Sequence, residues 1–548
     1  MCPARPSITV WKRVSSFIAV LPRIVVMCAA AAVHQAGAAE VADRCPELPG
    51  LLSDWQEQEA WVWHELCAGR EVDLRKRYGG AAPPEDGSDW PEQRDLSQKF
   101  LGTILLRDPY RSSIPYQGVV IIGARFKEEI NLANGDLPYN LSLIAPRFEH
   151  RLNMRGLKAD RSLIIEGAHF VSSNAEVVAL AGAKIGGNLS FEGIRTSGHV
   201  NMDSLAVAGN VAMRSGMFGS VWLANAKIGG ELDISGTTVL RELRMIELDV
   251  GHDLKLMGST LTNVLLVSAN IGRNLSLLGP RIEDCRVRVK PWIRPAVASQ
   301  SVDLTGATIS GTLSFGHRCY GPINEANNWG EQATLSLRNA SAHTLEDGIL
   351  CLDVSQACSN TWPPKLELNG FTYQELGEYV DGAGDDMAAR PARWWIEWLN
   401  RQSRYSPQPY EYLASALAKL GYKEKANDIL YAGKDRELAG AGYPESVWLW
   451  LERAFIGYGY RPHYALFWVL GFVFLGVTFL RVSGEGPRNH MPYGFAYSFD
   501  MLLPIVRLRD FHYSIDLKGY VRYYFYFHKL MGYVLASFLI AGLSGLTK

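Results

Sequence analysis

Ala183-Lys184-Ile185-Gly186-Gly187-Asn188-Leu189-Ser190-Phe191 returns as Ala226-Lys227-Ile228-Gly229-Gly230-Glu231-Leu232-Asp233-Ile234 and again as Ala269-Asn270-Ile271-Gly272-Arg273-Asn274-Leu275-Ser276-Leu277, 43 residues apart both times. Within each run the apolar residues alternate, and the paired glycines would weaken a helix. A short strand with alternate side chains inward fits the pattern. Working outward, one apolar rung follows another at Ile130, Leu141, Leu152, Leu163, Val177, Leu189, Val200, Val211, Val221, Leu232, Leu243, Leu254, Leu265 and Leu275, most of them with a second apolar residue two places on. The step is near eleven, so two coils of roughly 21.5 residues fill each long repeat, with two half-coils per coil. The Gly-Gly pair is expected at a corner that needs positive φ. Coils stacked about 4.8 Å apart would make residues 130–275 a rod on the order of 30 Å long.

The fold class expected is therefore mainly β: a parallel β-solenoid over 118–373, irregular after 285, where the ladder resumes at Leu304–Phe315, Leu335-Ser336-Leu337 and Leu366–Phe371. Open solenoid ends expose strand edges and need covers. Residues 39–117, with Trp55, Trp61, Trp63 and Leu66 at helical spacing and then Trp90, Leu96, Phe100 and Leu101, are expected to form a helical N-terminal cap.

Residues 1–38 read as a signal peptide: Arg5, Lys12, Arg13 and Arg23 precede the apolar run Ile24–Val33, and Ala36-Gly37-Ala38 offers small residues for cleavage. An uncleaved anchor is the alternative, because Pro22-Arg23 interrupts the apolar stretch. Cysteine usage agrees with export. Six cysteines remain after the signal, all before residue 359, with Cys45–Cys67 and Cys351–Cys358 as candidate disulfides and buried free thiols as the other reading.

Toward the C-terminus the period changes. Tyr410, Leu413, Leu417 and Leu420, a break at Gly421, then Ala426, Ile429 and Leu430 predict a helical hairpin connector over 374–445. Residues 446–548 read as a membrane domain with two transmembrane spans, near 464–481 and 530–547, each without a charge over its centre. Arg481, Arg488, Arg507, Arg509, Lys518, Arg522 and Lys529 lie between them, against Arg453, Arg461 and Lys548 on the outer flanks, which puts the loop in the cytoplasm and the solenoid on the periplasmic or extracytoplasmic side. The apolar stretch 491–506, broken by Pro504, is expected to be re-entrant or to lie on the surface. Within it Asp500, Ser498 and Pro504 are the candidate pore or membrane-functional residues, Asp500 as an intramembrane acid or as the N-cap of a short helix. Gly457-Tyr458-Gly459-Tyr460 resembles a potassium-filter fragment, but it precedes the first span, where no filter belongs.

Several motifs together, Glu59-Ala60-Trp61-Val62-Trp63, Leu368-Asn369-Gly370-Phe371-Thr372-Tyr373, Gln408-Pro409-Tyr410-Glu411-Tyr412, Gly457-Tyr458-Gly459-Tyr460-Arg461-Pro462 and Ser498-Phe499-Asp500-Met501-Leu502-Leu503-Pro504, resemble a family of bacterial membrane-associated β-solenoid proteins of pentapeptide-repeat-like type. The match to pentapeptide repeats proper is loose, since Ile185 and Leu189 are four apart instead of five. Some members of the family carry an oxidoreductase label, for which this chain has no G-x-G-x-x-G after a strand and no redox-spaced cysteine pair.

The near-neutral charge, -1, gives no reason to expect nucleic acid as a partner. The histidines are scattered, so no metal and no cofactor is expected. Asp233, Asp249 and Asp253, weighed as polysaccharide-cleaving carboxylates, read as an ordinary polar outer face. The leading expectation is a non-enzymatic, membrane-anchored solenoid whose partners are the lipid bilayer and an envelope protein or polymer. The rival is an ion channel or channel-like sensor, a homo-oligomer built through the membrane region.

Overall fold

The computed structural model describes residues 55–79, 90–171, 176–277, 297–315, 328–347, 362–377, 387–461, 463–491 and 493–544. The expected signal peptide, and every cysteine except Cys67, lie outside them.

The eleven-residue step becomes a four-sided coil. On the first side Ile130, Leu152, Val178, Val200, Val221, Leu243, Val264 and Val302 pair in parallel, one above the other. On the third side Leu141, Leu163, Leu189, Val211, Leu232, Leu254, Leu275 and Leu313 do the same. Consecutive rungs in sequence thus sit on opposite sides of one core, and hydrogen bonds between coils join residues 21 or 22 apart in the regular coils, widening to 26 at Ser162–Asn188 and 38 at Asn274–Thr312 where a coil is longer. Two rungs shift from expectation. Val178 and not Val177 carries the first-side pairing, and Val264 is buried where Leu265 faces outward. The later coils stay in register despite their insertions, through Leu345 and Leu376 on the third side and Leu335 and Leu366 on the first.

The paired glycines are a correction of another kind. They do not take positive φ; they permit close approach. A Cβ on Gly229 would fall 2.5 Å from the Ala208 carbonyl oxygen, and one on Gly251 2.3 Å from that of Gly229. Positive φ belongs instead to two other columns: Asn134, Gly156, Gly182, Ser204, Asn225, Glu247 and Ser268 after the first side, and Ala145, Gly167, Gly193, Ser215, Gly236 and Gly258 after the third. Glycine enters such left-handed corners at least cost, and small or amide residues fill most of the others.

Side chains repeat what the backbone does. Phe126, Phe148 and Phe170 stack with ring centroids 4.9 and 4.7 Å apart. At the corner between the second and third sides Asn140, Ser162, Asn188 and Asn210 each accept the amide N–H of the coil above, at 2.9–3.0 Å.

Both ends of the solenoid are covered. At the first coil α1 (Glu57–Cys67) and α2 (Gln98–Leu106) bury Val62, Trp63, Leu66, Phe100 and Leu101. Gln98 on α2 accepts from the Asn131 N–H at 2.8 Å and donates to its carbonyl at 2.9 Å, standing in for a missing strand. At the last coil α3 (Ala392–Leu399), α4 (Pro407–Lys419) and α5 (Lys423–Gly440) follow. Gln408 on α4 accepts from Gly370 N–H at 2.9 Å and donates to the Phe371 carbonyl at 3.2 Å, while the Tyr412 hydroxyl bridges the N–H and carbonyl of Tyr373 at 3.2 and 2.7 Å. A buried ion pair, Arg390 with Asp347 at 2.6 Å, lies nearby. The expected connector is thus also the C-terminal cap.

After the cap come α6 (Glu445–Ile456), α7 (His463–Val482), the short α8 (Phe495–Leu502) and α9 (Tyr520–Ser544). Among the described residues one helix, α7, is long and apolar enough to cross a membrane, where two spans were expected. The second expected span begins at Leu530, inside α9, whose first half carries Arg522, His528 and Lys529.

These contacts set two stability tests. Gly229→Val forces a coil apart and is expected to cost about 1–3 kcal/mol. Gln408→Ala removes two edge hydrogen bonds at about 1 kcal/mol each. Urea unfolding followed by circular dichroism reads both.

Candidate polar site in the C-terminal helices

The helix α8 fits between α7 and α9 because two glycines admit it. A Cβ on Gly476 of α7 would lie 2.1 Å from the Ser498 hydroxyl oxygen, and one on Gly532 of α9 1.9 Å from the Leu502 carbonyl oxygen. At this contact Ser498 donates its hydroxyl to the Val473 carbonyl at 3.0 Å. His528 Nε2 lies 2.9 Å from the Ser498 carbonyl. A carbonyl only accepts, so Nε2 carries the proton and Nδ1 is left to accept from the Tyr524 hydroxyl at 3.1 Å. Ser498 and His528 are fully buried.

Asp500 is also fully buried, but it is not the N-cap of α8. Gly494 holds that place, and Asp500 sits in the last turn. Its carboxylate accepts from the backbone N–H of Leu508 at 2.9 Å and of Arg509 at 3.2 Å, and from His512 Nδ1 at 2.8 Å. The Tyr513 hydroxyl donates to the Asp500 carbonyl at 3.3 Å. One buried carboxylate therefore pins the chain that returns from α8. Half-buried Pro504 lies on this return. The three candidates face different partners: Ser498 bonds the α7 backbone, Asp500 holds the returning chain, and Pro504 lies on that return. Their partners His512 and His528, and the glycines that seat them, had no local signal.

Gly457-Tyr458-Gly459 forms the joint between α6 and α7. Tyr458 is buried at φ +56 and donates its hydroxyl to Asp435 of α5 at 3.1 Å, beside the Arg461–Asp428 ion pair at 3.1 Å. Burial, with the Asp435 carboxylate, holds the Tyr458 phenol above its usual value.

A second candidate lies on the second side of the solenoid, a shallow groove of about 510 Å³. Its floor is Gly186, Ala208, Gly229 and Gly251, and Lys184 and Lys227 flank the small Ala206. These two lysines are exposed and form no ion pair among the described residues, whereas Lys158 faces Asp160 at 3.3 Å and Asp136 at 3.6 Å. Asp249 accepts from Asn270 at 2.9 Å on this side, Asp253 caps Asn274 at the next corner, and Asp233 lies on the third side, so the three carboxylates do not converge. Among the described residues no group of three His, Cys, Asp or Glu side chains is placed to hold a metal ion. Cys67 is disulfide-bonded; Cys45, Cys351 and Cys358 lie outside the described residues.

His528→Phe puts a somewhat larger apolar ring in place of the imidazole and leaves the Ser498 carbonyl without its donor, at an expected cost of about 1–3 kcal/mol. Thermal unfolding of the detergent-solubilised protein measures it. No protein family, curated protein or solved structure matches the chain.

Proposed function

We propose that this protein is exported, anchored in a bilayer through α7, and presents its solenoid outside the cytoplasm as a rigid binding surface for an extended acidic polymer or peptide of the cell envelope. The observation that carries the binding reading is the second-side groove. Lys184 and Lys227 stand two coils apart, roughly 10 Å at about 4.8 Å per coil, on a glycine and alanine floor that lets a chain lie close. Their unpaired charges would meet anionic groups, and the stacked ladder holds them at fixed spacing.

Anchoring is supported by what α7 leaves uncovered. Only 33% of its apolar window is buried, whereas the core helix of a soluble protein would be mostly buried. Leu466, Phe467, Leu470, Phe474 and Leu475 are exposed along it. Such an unbroken apolar surface is stable in lipid and not in water. Orientation rests on charge: Arg481, Arg488, Lys518 and Arg522 gather around the C-terminal end of α7, with Arg453 and Arg461 before its start. The disulfide at Cys67 fits an oxidising compartment.

Two measurements test this. Binding of polyglutamate by calorimetry is expected to weaken at least about tenfold in Lys184→Glu/Lys227→Glu, the loss of roughly 1.4 kcal/mol or more, and to fall with salt; equal binding by wild type and variant removes the groove from the function. Reporter fusions at 430 and 515 are expected on opposite sides of the membrane, the first outside; a shared side refutes anchoring through α7.

A further inference from the structure

The inference rests on the reading of α7 as a membrane span and concerns three cations beside it. Helices α7 and α9 run antiparallel: Phe479 stacks on Tyr524 at 4.0 Å near one end, and Phe472 lies 6.0 Å from His528 farther along. With a rise of about 1.5 Å per residue, Phe472 is roughly 14 Å from the start of a helix about 30 Å long. Lys529, next to His528, is therefore level with the middle of the span. Arg507 joins it there, because both cations lie 4.8 Å from the centre of the Tyr513 ring. Arg509 is two residues on, its backbone N–H held by Asp500.

Arg507 and Arg509 are exposed, and none of the three cations meets a carboxylate among the described residues, although Asp510 follows Arg509 in sequence. At mid-depth in a bilayer an exposed cation needs water or a counter-charge. Snorkelling does not reach, since an arginine side chain extends about half the distance to the nearer interface and the Asp500 carboxylate pins the backbone. Within one chain α8 closes on α7 at Gly476 and on α9 at Gly532, so no gap opens between these helices at those contacts, and the arginines face outward. The hydrated space must then lie between chains. Ile505, Val506, Leu508 and Phe511, exposed by 85%, 57%, 57% and 59%, surround the arginines and offer the apolar seats that a neighbouring copy would cover.

We propose that copies of this chain assemble through the loop 503–511 around a water-filled path lined by Arg507, Arg509 and Lys529, and that this path conducts small inorganic anions. A ring of fixed positive charge at a narrow passage admits anions and repels cations.

The test uses the full chain, purified and reconstituted into phosphatidylcholine vesicles, with flotation as the check on insertion. Planar-bilayer recording in a potassium chloride gradient should give unitary currents whose reversal potential follows chloride, and chemical cross-linking should give closed oligomers. Arg507→Glu/Arg509→Glu should move the chloride-to-potassium permeability ratio from above one to below one, and Arg507→Gln/Arg509→Gln should bring it toward one. Floated protein without currents, or currents whose selectivity ignores both variants, overturns the proposal while leaving the anchor intact. So does preferential quenching of a Val506→Trp reporter by brominated phosphatidylglycerol over brominated phosphatidylcholine, which would assign the cations to lipid headgroups. Protein that fails to float with the vesicles overturns the anchor and the path together.

Discussion

The parallel hydrogen-bond ladder between successive coils is the constraint on which the rest of the molecule depends. A single coil cannot bury its own apolar side chains, and a coil gains a core only from the coils above and below it. Once they are stacked at about 4.8 Å, every outward and inward position becomes a column. Glycine is then required where the neighbouring carbonyl comes too close, as at Gly229 and Gly251. Amide and hydroxyl side chains such as Asn188 and Asn210 can serve the N–H of the next coil, and rings such as Phe126, Phe148 and Phe170 stack at the same spacing.

A ladder of this kind has two open ends, and unpaired strand edges are both costly and adhesive. The chain meets the problem at both ends with a glutamine on a helix, Gln98 at the first coil and Gln408 at the last, whose side-chain amide copies the donor and acceptor of a strand. Trp63 and Trp395 fill the cap cores behind them. The C-terminal cap has a second duty. Through Asp435–Tyr458 and Asp428–Arg461 it meets the joint that leads into α7, so the rod and the bundle are connected by polar contacts on folded helices. The last coil of the solenoid is thereby held at a defined place relative to the helix bundle.

In the bundle the deciding feature is the buried carboxylate of Asp500. An ionised group without water survives only when its lone pairs are occupied, and here two backbone N–H groups and an imidazole occupy them. That arrangement fixes the backbone at Leu508 and Arg509.

Periodicity made the solenoid and its two half-coils legible from the chain itself, because inward apolar residues on alternate positions are a local requirement of a buried strand; that the helical hairpin after it also covers the last coil was not. The slips at Val177 and Leu265 arose where a coil is longer or a pair of apolar residues is adjacent, so that either neighbour satisfies the same local pattern. The role of the paired glycines, the mimicry by Gln98 and Gln408, the seat of Ser498 between Gly476 and Gly532, and the depth of Lys529 required the tertiary structure. Each depends on a group more than twenty residues away, and only the folded backbone sets that distance.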